Sequence, residues 1–411
     1  MQRHTNWNYI LLLFVIFGGY LIFGISENIK GPALPEMQSE LSLSDGKLGI
    51  LLAINSFGFL LACMYTPWLT SKLGAKTTSI LTFALMGLSG IAVYYSTNLS
   101  SLIGAYFLLY LGNGMLEIGL AIIAARLFTK NTGTMLNLSH FFYGLGSTVA
   151  PIIAAQMMGW EIASTVLGWR GMYVIMLSLS LLPIIPVIIS RFPIQQGEDS
   201  EESTSFKKLT KDPIAWLIVF ALTMGVTAEL GIAAWLVNYL VRVNDWTITD
   251  ASNMLALFFF SFMLARFILG PITDRIGFAK SIIIFSFLAG TLCIIPIFTS
   301  DKLSILFALA GFGIGPIYPT MMALLAKKYQ KGTDAAITFT VVLIGIGGVG
   351  TNLLIGYIIE FVSKLSLGRT LEASNQIGMQ TGFFFIAMTA ILCGIATAEI
   401  HRRLKKIGQV I

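Results

Sequence analysis

Twelve apolar segments dominate the chain, and each is long enough to cross a bilayer as an α-helix, which takes about 20 residues. Only 11% of the residues are charged, whereas soluble domains carry roughly 25%. The pattern predicts an all-α membrane protein with 12 transmembrane helices and excludes a single soluble core. The predicted helices span residues 9–29, 46–69, 78–97, 101–127, 136–159, 171–192, 213–242, 251–270, 280–298, 303–326, 334–363 and 380–399.

The two halves of the chain contain similar sequence patterns about 200 positions apart. Residues 70–74 read TSKLG and residues 273–277 read TDRIG, and both stretches follow the second helix of their half. A repeated six-helix unit is typical of secondary transporters. We therefore expect two six-helix bundles, at residues 1–194 and 213–411. The polar residues 195–212 would form a cytoplasmic linker between them.

Positive charge is distributed unevenly between the two sides of the predicted membrane. With the N-terminus inside, 18 of the 26 lysines and arginines fall in cytoplasmic segments. Positive residues favour the cytoplasmic side of membrane proteins. We expect both termini to be cytoplasmic and the protein to lie in the plasma (cytoplasmic) membrane. Lys30 is counted in this scheme among the outer residues that follow helix one.

Residues 270–280, GPITDRIGFAK, resemble the loop motif of the major facilitator superfamily: Gly, three residues, Asp-Arg, one residue, Gly, then a basic residue. The first-half copy has Ser71 and Lys72 where Asp and Arg are expected. Residues 168–170, GWR, also resemble that superfamily. The resemblance covers essentially the whole chain and implies the major facilitator fold.

Three stretches make the chain most similar to the fucose and glucose/galactose permeases, which are sugar:proton symporters. They are residues 112–117 (GNGMLE), 136–146 (LNLSHFFYGLG) and 229–235 (ELGIAAW). Fucose permeases carry an Asp late in helix one, where our alignment places Gly31. Glu27 lies one turn away as a substitute. The helix-five motif of drug antiporters is reduced here to residues 150–154, APIIA.

Glu117 is the main candidate for proton coupling, with Glu27 as the second candidate. Glu117 lies mid-helix, about 15 Å from the cytoplasmic end of helix four, where a charge is costly unless it faces a cavity or a partner. The alternative is a purely structural role, as a buried carboxyl that is hydrogen-bonded to a neighbouring helix. Aligning Gly112-x-Gly114 with Gly311-x-Gly313 places Pro316 opposite Glu117, so we expect this acid to be absent from the second half.

Polar and aromatic residues near these acids are the candidate cargo ligands. An imidazole can relay a proton or hydrogen-bond a hydroxyl, and an indole can stack on a sugar ring, although a histidine or tryptophan that only packs is the alternative for both. The predicted cargo ligands are Asn113, Asn137, His140, Tyr143, Glu229, Trp235 and Asn238. By the family resemblance, Asp274 and Arg275 are gate residues, and we expect Arg266 to belong to the same charge cluster.

These observations favour a proton-coupled symporter of a sugar or polyol-like solute that works by alternating access. A proton-driven exporter of amphipathic compounds is the alternative, and a channel or a non-transporting sensor is a third possibility. We do not expect an enzyme, because the sequence contains no nucleophile–base pair or metal-ligand pattern. We expect no cofactor or metal other than the proton gradient, no nucleic-acid partner, a small-molecule substrate, contact with the lipid bilayer, and a monomer.

Overall fold

The computed structural model describes residues 2–128, 132–162, 164–192, 206–299, 301–330, 333–365 and 370–406. The chain divides into two compact units, Met1–Gly197 and Glu198–Ile411. The boundary falls inside the predicted linker, of which residues 195–205 lie outside the described part. Each unit is described separately below.

The first unit is helical apart from one short hairpin. The hairpin pairs β1 (Glu161–Ile162) with β2 (Thr165–Val166) in antiparallel register. A 3-10 turn, Leu179–Leu181, separates the last two of its seven helices. The helices described in this unit are α1 (Gln2–Asn28), α2 (Lys30–Glu40), α3 (Asp45–Tyr94), α4 (Leu99–Leu127), α5 (Thr132–Met158), α6 (Gly168–Ser178) and α7 (Ile184–Ile189).

The second unit is helical throughout its described residues. A 3-10 turn, Asp301–Leu303, precedes α12. Its helices are α8 (Phe206–Leu209), α9 (Pro213–Val243), α10 (Ile248–Ile276), α11 (Phe278–Phe298), α12 (Ile305–Ile314), α13 (Ile317–Lys328), α14 (Thr333–Leu365) and α15 (Leu371–Lys406). A break separates α12 from α13, because Pro316 and Pro319 lack the N–H groups that a continuous helix needs.

Within the described residues, 11 helical stretches are long and apolar enough to cross a membrane. One of them, α3, is 50 residues long and is interrupted at Gly74, whose φ of 81° and ψ of 155° are not helical. Counting α3 as two crossings gives the predicted twelve. Gly277, at the matching position of the second half, has φ 96° and ψ 143°. Residues other than glycine rarely adopt a positive φ, so the turn requires a glycine at both positions.

The first crossing is longer than predicted. Hydropathy placed the end of helix one at residue 29, but after a single turn residue the chain continues as α2, and the stretch Trp7–Glu40 is long and apolar enough to span a membrane. Lys30 was predicted to lie in an outer loop. This was wrong: its side chain is buried, because it finds a carboxylate partner inside the unit.

Glycines set the register of α4 against the two halves of α3. A Cβ at Gly114 would collide with the Phe59 carbonyl oxygen and with Ala62, and a Cβ at Gly112 would collide with Met86. These glycines therefore allow the backbones to approach closely, as small residues do in membrane helices. The same packing fixes the position of Glu117 one turn further along α4.

The second half repeats this contact with a different register from the predicted one. A Cβ at Gly315 would meet the Phe262 carbonyl oxygen and Ala265, which lie 203 positions after Phe59 and Ala62. Gly114 therefore corresponds to Gly315 and not to Gly313. The predicted alignment was two residues out, and Tyr318, not Pro316, stands opposite Glu117. The expectation that the second half has no acid at this position is unchanged.

Candidate functional site

A buried ion pair lies where α1 meets α2. The ammonium group of Lys30 contacts Glu27 Oε1, and the two residues are 4% and 7% exposed. Lys30 Nζ also donates to the Tyr110 hydroxyl at 2.8 Å and lies 5.1 Å from the centre of that ring. A charge buried in a protein persists only when it is paired and hydrogen-bonded, and both conditions hold here.

Asn113 extends this polar group along α4. Its Nδ2 donates to Glu27 Oε2 at 3.3 Å, and its Oδ1 accepts from Ser26 Oγ at 2.7 Å. Beside Glu27, Asn28 donates to Ser147 Oγ at 3.0 Å, which ties α1 to α5. Asn113 was predicted to bind cargo, but both ends of its amide are engaged within the unit. Its predicted role in cargo binding stays a prediction.

Glu117 follows Asn113 by one turn of α4, about 6 Å along the helix axis. It is half-buried, and its carboxyl lies within electrostatic range of the Tyr20 hydroxyl and the Cys63 thiol. The Tyr20 ring centre is 5.4 Å from that of His140, which is exposed. The structure thus brings Glu117, Tyr20 and His140 from three helices into one group.

Tyr143 was predicted on the same face of α5 as His140. It is half-buried, and its ring centre lies 5.0 Å from that of Phe23. The side chain of Asn137 lies outside the described residues, so its predicted role stays a prediction. Among the ligands predicted in this unit, His140 is exposed, and its ring contacts that of Tyr20.

The second unit contains a small cleft between α9 and α14. Its polar wall is built by Thr223 and Thr227 of α9 and by Thr351 and Asn352 of α14. Thr227 Oγ1 lies 2.7 Å from the Thr223 carbonyl oxygen and 3.0 Å from Thr351 Oγ1. Apolar side chains such as Ile344 complete the lining. Hydroxyls and an amide among apolar walls form the kind of surface that binds small polar solutes.

Two of the residues predicted on α9, Trp235 and Asn238, lie further along the helix than this cleft. Trp235 and Asn238 are 0% exposed, so the indole presents no accessible face for stacking in this structure. Tyr239 packs with ring centres 5.4 Å from Phe307 and 4.7 Å from Phe383. Glu229 is half-buried. The indole N–H of Trp235 is buried without a hydrogen-bond partner among the described residues, and the predicted role of Trp235 in cargo binding stays a prediction.

Arg266 lies far from the predicted gate. It precedes Asp274 by eight residues of α10, about 12 Å along the axis, and its Nε donates to the Gly315 carbonyl oxygen at 3.0 Å. Arg275 is exposed. The side chain of Asp274 lies outside the described residues, so the gate assignment of Asp274 and Arg275 stays a prediction. The bond to Gly315 assigns Arg266 to the break between α12 and α13.

Sequence reasoning missed several residues of these sites, Tyr20 and Tyr110 among them. Thr223 and Thr227, four positions apart, share one helix face, and this spacing was the available signal. Thr351 and Asn352 directly follow the glycine run of α14. Nothing in the sequence indicated that Lys30 pairs with Glu27. Lys30 follows Glu27 by three positions but lies beyond the predicted end of helix one, and only the continuation into α2 brings the two side chains together.

Comparison with known proteins identifies the family. The sequence profile of the Major Facilitator Superfamily matches residues 16–247 and 230–406. A TsgA homolog from Buchnera aphidicola is 24% identical over 398 residues, covering 96% of this chain and 98% of that protein. The L-fucose-proton symporter of Escherichia coli is 20% identical over 399 residues, covering 89% and 91%. The predicted resemblance to fucose permeases is thereby confirmed.

A solved structure agrees at the level of the fold. The crystal structure of a D-xylose-proton symporter aligns with a TM-score of 0.75 and 12% identity, covering 94% of this chain and 97% of that one. The profile match spans both halves of the chain, and the architecture is the all-α membrane fold predicted from the sequence. The chain therefore belongs to the Major Facilitator Superfamily of multi-pass membrane transporters.

Proposed function

We propose that this transporter is a proton-coupled symporter of a sugar or polyol-like solute. The observation that carries the proposal is the position of Glu117: a half-buried carboxyl ten residues from the end of α4, grouped with Tyr20 and His140 and one turn from Asn113. An acid in the middle of a membrane helix marks a functional site by default, and proton relays are among its common uses.

The roles of the two candidate acids follow from their partners. Lys30 compensates the charge of Glu27, so that carboxylate is already engaged in an ion pair within the first unit. We therefore assign the coupling proton to Glu117. Protonation removes its charge, and a neutral site costs less to move through the membrane than a charged one. Cargo binding and protonation together would then permit the change between outward and inward states.

The chemistry of the cleft in the second unit supports a hydroxylated cargo. Thr223, Thr227 and Thr351 offer hydroxyls, and Asn352 contributes an amide. Such groups exchange hydrogen bonds readily with the hydroxyls of a polyol. The printed names of two similar proteins, an L-fucose-proton symporter and a D-xylose-proton symporter, agree with this substrate class. The membrane is expected to be the cytoplasmic one, with both termini inside.

The test begins with the purified protein in a thermal-shift screen against sugars and polyols, because a ligand that binds the folded state raises its stability. Solutes that bind are then offered to proteoliposomes with an imposed pH gradient. Accumulation that follows the gradient supports the proposal. Extrusion of amphipathic compounds, with no response to any sugar or polyol, would favour the exporter and refute the symporter.

Topology is tested separately with Ser205→Cys in the linker. We expect no reaction of this cysteine with a membrane-impermeant thiol reagent added to intact cells, and full reaction after the cells are opened. Labelling from outside would overturn the assignment of the linker to the cytoplasmic face.

A further inference from the structure

Arg266 is a charged side chain deep within a membrane-crossing helix. It lies ten residues before the end of α10 at Ile276, about 15 Å along the axis, and it is half-buried. Glu117 likewise lies ten residues before the end of its own helix, α4, at Leu127. Charges at this depth are costly and mark substrate or ion pathways.

One part of the environment of Arg266 has a structural explanation. In a regular helix the Gly315 carbonyl would accept from the N–H of residue 319, but that residue is Pro319 and has no N–H. Arg266 Nε fills the gap at 3.0 Å, and the guanidinium lies 4.2 Å from the centre of the Phe262 ring. A neutral donor would satisfy this carbonyl equally well. The break between α12 and α13 therefore explains a donor at this position but not a positive charge.

A guanidinium bonded through Nε keeps the N–H groups of its two terminal nitrogens. These groups form a planar fork that matches the two oxygens of a carboxylate. Stacking on Phe262 holds the plane of this fork, so less conformational freedom is lost when an anion binds. The geometry that caps Gly315 thus also presents a preorganised anion-binding group.

In the alignment of the two halves, Arg266 corresponds to a residue near the proposed proton site. Ala62 contacts Gly114, and Ala265 makes the corresponding contact with Gly315. The residues that follow these alanines, Cys63 and Arg266, therefore correspond. Cys63 lies within electrostatic range of Glu117 in the first unit. The position next to the proposed proton site in one half is thus occupied by a cation in the other half.

We propose that Arg266 binds a carboxylate of the cargo, and that the cargo is a polyhydroxy monocarboxylate such as a hexonate or a hexuronate. The inference rests on the proposed function and narrows its substrate class. The hydroxyls of such a cargo suit the threonine cleft, and its single negative charge suits one guanidinium. A doubly charged sugar phosphate would leave one charge uncompensated.

This assignment fixes the electrical character of transport. A monoanion carried with one proton moves no net charge, whereas a neutral sugar carried with one proton moves one positive charge. A potential of 100 mV acting on one charge changes the accumulation ratio about 50-fold. Uptake of the acid should therefore follow the pH gradient and ignore an imposed potential.

The experiment uses the full chain in proteoliposomes with glucose, galactose, gluconate, galacturonate and glucose 6-phosphate as probes. A pH gradient and a potassium diffusion potential are imposed separately. We expect gluconate or galacturonate to accumulate with the pH gradient and to be indifferent to the potential. Potential-driven accumulation of a neutral sugar would overturn the inference and leave the proposed function intact. No accumulation of any probe with the pH gradient would refute both.

Variants test the residue itself by equilibrium binding. Arg266→Gln keeps a donor for Gly315 and removes the charge, so we expect the affinity for the acid to fall by about 10- to 100-fold, the range for a charge-assisted pair. Lys302→Gln removes a positive charge from an exposed turn and serves as the control. An unchanged affinity of Arg266→Gln for the acid would overturn the inference. If that variant does not fold, the electrical test on the unmodified protein decides.

Discussion

Replacing Lys30 with methionine tests the buried ion pair of the first unit most directly. The side chains of Lys30 and Glu27 are 5% and 9% exposed, so the substitution leaves a carboxylate with little access to water. Methionine fills the same volume without charge. The double variant Glu27→Gln/Lys30→Met removes both charges and is the matched control.

The expected cost follows from the two states that are open to Glu27. Remaining ionised without Lys30 costs about 3–5 kcal/mol, the range for breaking a buried pair. Taking up a proton at pH 7 costs about 3.7 kcal/mol, because an ordinary glutamate titrates near pH 4.3 and each pH unit is worth 1.36 kcal/mol. The two costs are similar, so Lys30→Met should lose about 3–4 kcal/mol of stability at pH 7.

The pH dependence has a definite sign. A folded variant that holds a proton on Glu27 binds more protons than the unfolded chain above pH 4.3, so its stability falls as the pH rises. Lowering the pH from 7 to 6 should restore up to about 1.4 kcal/mol. The double variant should lack this extra pH dependence, because neither glutamine nor methionine titrates. It should also fold, since neutral replacements for a buried pair are often tolerated.

Unfolding of the three proteins in detergent between pH 5 and 8 provides the measurement. The reasoning is refuted if Lys30→Met loses less than about 1 kcal/mol at pH 7, or if its pH dependence matches that of the double variant. Either result would mean that water reaches Glu27 and that the pair is not buried as described.

Three further outcomes are expected. Glu117→Gln should abolish the roughly tenfold accumulation that one pH unit supports and retain exchange of labelled for unlabelled cargo; full accumulation by the variant would remove Glu117 as the proton site. Thr227→Val should weaken cargo binding by about tenfold with less than about 1 kcal/mol change in stability, and unchanged binding by calorimetry would exclude the cleft. Burial, and then the 2.7 Å bond to Asp212, raise the pKa of Tyr329. Tyr329→Phe should therefore lower the free energy of unfolding by about 1–2 kcal/mol below pH 10. Denaturation should show that the difference between the two proteins shrinks above pH 10, because only the wild type has a phenol at position 329 that can ionise.

Local pattern was sufficient to predict most of the architecture. Hydropathy located the crossings because a membrane helix must be apolar along its whole length. The repeated glycine at 74 and 277 was visible as an echo, and both residues adopt the positive φ that only glycine takes easily. Predicted helix ends were less accurate where polar residues continue a helix, as in α2 and in the first turns of α15.

Contacts between helices could not be read in the same way. The Gly-x-Gly spacing occurs at 112–114, at 311–313 and at 313–315, so sequence alone offered more than one alignment of the halves. The side chains facing Gly114 and Gly315 decided between them. Lys30 was misplaced for a related reason. Hydropathy assigns a lysine to water, and only a carboxylate on a neighbouring turn makes its burial possible.

The corrected register separates what the duplication supplies from what each half adds. Packing glycines and the turn glycine recur in both halves, so they build the scaffold. The charges in the middle of the helices do not recur: Glu117 corresponds to Tyr318, and Cys63 corresponds to Arg266. A scaffold needs no charge inside a membrane, where each one is costly. The residues that break the repeat are therefore the ones to which function should be assigned, with an acid serving the first unit and a base the second.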